Sequence, residues 1–200
     1  MSLFTNLIFW VPLVLSSLII LRLFYLELKS KVTSKTAKRS LIAIILIYFL
    51  QIATQITYIY IKLKGDDFGK FLLPPKSNYL YQVAWQISSS YVFALAIGLI
   101  LILVLLVLRK IFKAEILDKA DFYVLLLTVF VVGASNVLIL VLASFFLMIF
   151  FLIGFSFRQK KITATARVTL SPFLLLTAFA ILILQNFEFY QKLLTLLRLT

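Results

Sequence analysis

Residues 79–108 read YLYQVAWQISSSYVFALAIGLILILVLLVL. From Tyr91 onward the stretch is apolar without a break and predicts a membrane helix. The part before it, YLYQVAWQISSS, is aromatic but only weakly apolar, and fits a half-helix or a re-entrant segment. Folded as a hairpin, residues 77–108 give each leg about 16 residues, short of the roughly 20 that a full crossing takes, so such a hairpin has to be sheltered by protein. Taken as one crossing, the same residues put the loop before them and the loop after them on opposite faces of a membrane. The sequence leaves both arrangements open.

The rest of the chain is of the same kind. Of its 200 residues 64% are apolar and 14% charged, and the mean hydropathy is +1.12, whereas soluble domains are about half apolar and a quarter charged. A 23.0 kDa chain of this composition cannot cover its core with polar surface and belongs in lipid. Strong apolar runs at 3–26, 41–61, 91–108, 122–132, 137–157 and 170–184, with the weaker 79–90, predict an all-α, polytopic membrane helix bundle with about six to seven membrane segments. The alternating pattern of a membrane barrel does not occur. The first run, interrupted by Pro12 and Arg22, has no basic residue before it and no small-residue cleavage site after it, and reads as a retained helix. Residues 133–136 predict a tight turn between two helices. The organisation expected is a membrane helix and basic loop at 1–40, a membrane core at 41–187 and an interfacial tail helix at 188–200.

Two absences narrow the chemistry. With no cysteine and no histidine, disulfides, thiolate nucleophiles, iron–sulfur clusters, Ser-His triads and His-ligated zinc are excluded. Neither a GxxxxGK(S/T) loop nor a GxGxxG fingerprint occurs, so no cofactor and no metal are expected. The net charge of +13 comes from basic residues between the apolar runs, which points to anionic lipid headgroups as partner and not to nucleic acid. Whether 79–108 crosses once or folds back, the loops that would be cytoplasmic hold most of the twenty Lys and Arg, so the positive-inside rule fits both.

Ionisable groups in or beside membrane segments are costly and mark functional candidates. The acidic set is Glu27, Asp66, Asp67, Glu115, Asp118, Asp121 and Glu188. Asp67 follows the second run in GDDFGKFLLPP (65–75), seven residues before Pro74. Asp121 follows Asp118, Lys119 and Ala120, precedes Phe122, and stands twelve residues before Gly133. Leu170, Ser171, Pro172 and Phe173 open the last run. In order and spacing these three elements, spread over roughly 41–184, resemble the prepilin and preflagellin peptidases, intramembrane-type aspartic proteases with D-x6-P, GxGD and FGPF-like motifs. Asp118 and Ala120 stand where that family has the two glycines of GxGD, and the cysteine-rich segment of its bifunctional members is missing.

The resemblance implies a multi-pass protein of the cell (inner) membrane that removes leader peptides from pilin-like precursors, the precursor's apolar helix docking laterally on the bundle. Asp67 and Asp121 would be the catalytic pair. Two carboxylates held close together cannot both ionise. The ionised one takes a proton from the attacking water; the other donates to the oxyanion and then to the leaving nitrogen. The pair needs both residues on one membrane face, hence an even number of crossings between them.

Each feature taken singly has a plainer reading. Asp66 and Asp67 fit a solvated loop compensated by Lys62, Lys64 and Lys70, and only the spacing to Pro74 favours Asp67 over Asp66. Asp121 fits a helix N-cap, and Pro74 and Pro172 fit helix starts. The Phe residues suit lipid contact and packing, and Tyr58, Tyr60, Tyr79, Tyr81 and Trp85 suit interfacial anchoring. Gln51, Thr54 and Gln55 share a helix face, which predicts that this face points into the bundle. The other functions that fit are an inactive relative of the peptidases and a small transporter-like or scaffold membrane protein. Transport calls for opposite-side Asp residues or a polar midplane, for which the spans offer residues 51–57 and Asn136.

Overall fold

The computed structural model of the chain describes residues 3–112, 119–159, 170–187, 190 and 195. They form helices and, among the described residues, no strand: α1 (Leu3–Leu28), α2 (Ser34–Gly65), α3 (Tyr79–Phe112), α4 (Lys119–Val132), α5 (Val137–Gln159) and α6 (Ser171–Leu184), with short 3-10 turns at Gly69–Leu72 and Ala134–Asn136. Among the described residues, four helices are long and apolar enough to cross a membrane: α1, α2, α3 and α5. The other two, α4 and α6, have 14 residues each.

Local chemistry accounts for most boundaries. Thr33 caps α2, its hydroxyl accepting from the Thr36 N–H at 3.2 Å. Lys62 and Lys64 lie in the last turn of α2, where cations suit the negative end of the helix dipole. Pro172 sits in the first turn of α6, where its missing N–H costs nothing. The expected turn at 133–136 is there: Gly133 has φ 79° and ψ 161°, a conformation open essentially to glycine alone.

Four expectations need correcting. Residues 79–90 are not a separate leg: α3 is one unbroken helix of 34 residues. The serines that weaken its apolar character do not break it, because the Ser88 hydroxyl donates to Ala84 O (2.8 Å) and that of Ser89 to Gln86 O (3.1 Å), within their own helix. Pro74 starts no helix, since α3 begins at Tyr79. Asp121 does not precede α4 but lies inside its first turn. A division at residue 40 falls within α2, which starts at Ser34. The tail helix expected at 188–200 lies outside the described residues except for Tyr190 and Thr195.

Successive helices run in alternating directions. Tyr48 of α2 meets Ser16 of α1, Tyr91 of α3 and Phe130 of α4. One turn or two further along α3, Gly98 packs on Leu126 and Val129, which makes α3 and α4 antiparallel. The start of α4 touches the start of α6 through Asp121 and Ser171, and the end of α4 touches the end of α6 through Val132 and Gln185. The core lies among α1, α2, α4 and α6 and is built from Ile20, Leu23, Ile44, Leu127, Leu174 and Leu175, all fully enclosed. Large apolar side chains on the outside, among them Phe49, Phe93, Phe146 and Phe150, form a surface suited to lipid.

Candidate functional site

The two aspartates singled out by the sequence occupy different environments. Asp67 is in the α2–α3 loop with its side chain 94% exposed, paired with Lys70 at 2.9 Å. Its neighbour Asp66 ends α2 and accepts the Gly69 N–H at 3.1 Å. Gly69 is required there, because a Cβ would come within 2.6 Å of Leu63 O. Asp121, by contrast, is 3% exposed and accepts a hydrogen bond from the Ser171 hydroxyl at the start of α6.

Nothing brings Asp67 and Asp121 together. From the contact of Tyr91 with Phe130, α3 runs back twelve residues to the loop of Asp67, and α4 runs back nine residues the other way to Asp121. At 1.5 Å per residue this separates them by about 30 Å along the bundle. Asp118, beside the altered GxGD position, lies outside the described residues. Among the described residues no group of three or more acidic side chains could hold a metal ion.

Polar side chains do converge elsewhere. Between the ends of α4 and α6, the α4–α5 turn and the middles of α1, α2 and α3 lies a cavity of about 370 Å³. It is lined by Gln51, Ser90, Ser135, Asn136, Gln185 and Asn186, by the rings of Tyr48 and Tyr91, and by apolar residues such as Leu13, Ile87, Val131 and Leu182. No Lys, Arg, Asp or Glu is among these lining residues. Ser90 and Asn186 are exposed and mark the mouth, while Tyr48, Tyr91 and Phe130, with ring centroids 5.0 to 5.6 Å apart, wall it off from the core.

Helix length explains the amides. At 14 residues, α4 and α6 rise about 21 Å and stop short of the roughly 30 Å of a hydrocarbon core. Backbone carbonyls at helix ends within a bilayer must find partners in the protein or in a water-filled cavity. Val132 O accepts the side-chain amides of Asn136 (3.0 Å) and Gln185 (3.1 Å), and Leu182 O that of Asn186 (3.0 Å). The Tyr190 hydroxyl donates to Asn136 Oδ1 at 2.6 Å, tying the tail to the α4–α5 turn. Gln51 Oε1 is buried without a hydrogen-bond partner.

The expectation that the polar face of α2 points inward holds for Gln51, which lines the cavity, and Gln55 is half-buried, but it fails for Thr54. Thr54 faces outward, its hydroxyl donating to Leu50 O and Gln51 O in its own helix, and Thr57 does the same to Ala53 O. Sequence reasoning singled out Gln51 and Asn136 but missed Gln185, Asn186 and Tyr190. The available signal was the brevity of the apolar runs that end at Gly133 and at Gln185, each closed by amide side chains.

Comparison of the chain with models of known families, with curated proteins and with solved structures finds no match.

Proposed function

We propose that the chain is a multi-pass membrane protein of transporter type, which admits a small solute into the cavity between α1, α2, α3, α4 and α6. The six helices would be its membrane segments. The ends of α1, α3 and α5, next to which thirteen of the twenty Lys and Arg fall in the sequence, would be cytoplasmic, and the cavity would open to the other side. The observation that carries this reading is the meeting of Gln51 and Asn136, polar features of separate spans, in one cavity with no charged residue among its described lining. Polar groups within a bundle that line an accessible cavity are the usual signature of a solute path.

A prepilin-peptidase-like activity on pilin-like precursors is the weaker reading. It asks Asp67 and Asp121 to share a proton, whereas one is paired with Lys70 in an exposed loop and the other is held by Ser171 in the bundle.

The chain contains no cysteine, so single-cysteine variants report without background. In sealed vesicles, Ser135→Cys should react with a water-soluble, membrane-impermeant thiol reagent from the side opposite the basic helix ends, and Ser171→Cys should not. Unreactive Ser135→Cys in folded protein would refute the solute reading. Removal of a leader from a co-expressed pilin-like precursor, lost in Asp67→Asn and in Asp121→Asn, would restore the peptidase.

A further inference from the structure

We infer that the ligand of this cavity is uncharged, carries its own hydrogen-bond donors and acceptors, and is received by Gln51. The inference rests on the reading of the cavity as the working site and adds the class of molecule that it takes.

The first support is the buried, unpartnered Gln51 Oε1. An enclosed amide oxygen without a donor is costly to leave so, and the Gln51 side chain lines the cavity, so a turn about its broad terminal torsion brings Oε1 to a donor that the cavity holds. The second is charge. With no ionised side chain among the described lining residues, an ion entering would lose hydration and find no counter-charge among them.

The third concerns the helix ends, which elsewhere could serve an ion. The last carbonyl of α4, Val132 O, which would suit a cation, is occupied by two protein amides. The negative end of the α4 dipole also lies against the positive end of α5 across the turn at Gly133, so the two offset one another. What remains for a ligand is the Gln51 amide and the Ser135 hydroxyl, which accepts from Asn136 Nδ2 at 3.3 Å and keeps its own O–H to donate, groups that pair with neutral donors and acceptors, beside the apolar faces of Tyr48 and Tyr91. The volume of about 370 Å³ corresponds to about a dozen water molecules, which suits a short polyol or a small amide.

The test uses Ser90→Cys, at the exposed mouth, as reporter in the full-length protein in nanodiscs. Its labelling by N-ethylmaleimide is followed with glycerol, xylitol or acetamide as uncharged probes and with choline or lactate as charged ones. At a probe concentration of twice Kd, an uncharged probe should slow labelling about threefold, and choline and lactate should leave it unchanged. Gln51→Leu should raise the Kd for the probe about fivefold, so that the same concentration slows labelling only about 1.4-fold. Gln51→Glu, which keeps the shape and brings a charge, should shift protection toward choline. Unchanged labelling of Ser90→Cys in both Gln51 variants without probe confirms that they fold. Protection by choline or lactate in the parent would overturn the charge class and leave the cavity reading standing. Free labelling with no protection by any probe would overturn the inference, and full protection in Gln51→Leu would remove Gln51 from it. A reporter that water-soluble reagents cannot reach would instead refute the proposed function.

Discussion

Asp121 and Gln51 are both polar side chains enclosed by an apolar bundle, at its two ends, and their surroundings differ in kind. Asp121 is shut in at the start of α4, with the Ser171 hydroxyl directed at its carboxylate. The space beside this region, between α3, α4, α5 and the start of α6, is lined by Leu101, Leu105, Leu125, Phe145 and Leu174 and is apolar apart from Ser144. Gln51 faces a cavity ringed by amides and hydroxyls, open at Ser90 and Asn186. The dry end closes its polar group with a partner from a distant helix among its contacts, whereas the wet end keeps an acceptor unmet. A carboxylate in a bundle is therefore a weaker pointer to function here than a neutral amide, because the amide is the one left free to bind.

The most damaging change to this contrast is Gly133→Val. A β-branched residue at φ 79°, with a Cβ about 3.2 Å from Ser90 Oγ, should lower stability by about 3 kcal/mol, read as a drop in the unfolding midpoint in detergent, and should close the cavity to thiol reagents. Asn136→Leu comes next. It strips one of the two side-chain donors from Val132 O and the acceptor from Tyr190, for a loss of about 2 kcal/mol, and should free the tail to faster proteolysis near Tyr190. Ser171→Ala tests the dry end alone: a loss of about 1 kcal/mol, with cavity labelling of Ser135→Cys unaffected. If that labelling also changes, the two ends are coupled and the contrast fails. Asp67→Ala should leave the unfolding midpoint where it was, since exposed ion pairs contribute little; a clear shift would show that the loop does more than shield Lys70.

The residues explain how far the sequence could be followed. Apolar run lengths fix the helical membrane character, and Gly133 and Pro172 mark their boundaries because each is tied to one backbone conformation or one helix position. Residues 79–90 mislead because hydropathy scores side chains, while helix continuity depends on backbone bonds that serines capped within their own helix leave intact. The spacing of Asp67 to Pro74 is a pattern along the chain, and it carries no information on which end of the bundle each residue reaches; that depends on α3 being one unbroken helix. The cavity needed contacts between residues as far apart as Val132 and Gln185 or Asn136 and Tyr190, which no local pattern encodes.

The unequal helix lengths act on the lipid as well as on the protein. Along α3, 34 residues offer the bilayer a wall of about 51 Å, whereas α6, with Leu176, Ile183 and Leu184 turned outward, offers about 21 Å. Lipids meeting α6 must thin to match it or leave its end in hydrocarbon, at a cost that grows with each ångström of mismatch. That thinned annulus borders Asn186 at the cavity mouth, so a thinner bilayer should favour, and a sterol-thickened one oppose, the access of water to the site: membrane composition becomes a handle on how readily this protein opens.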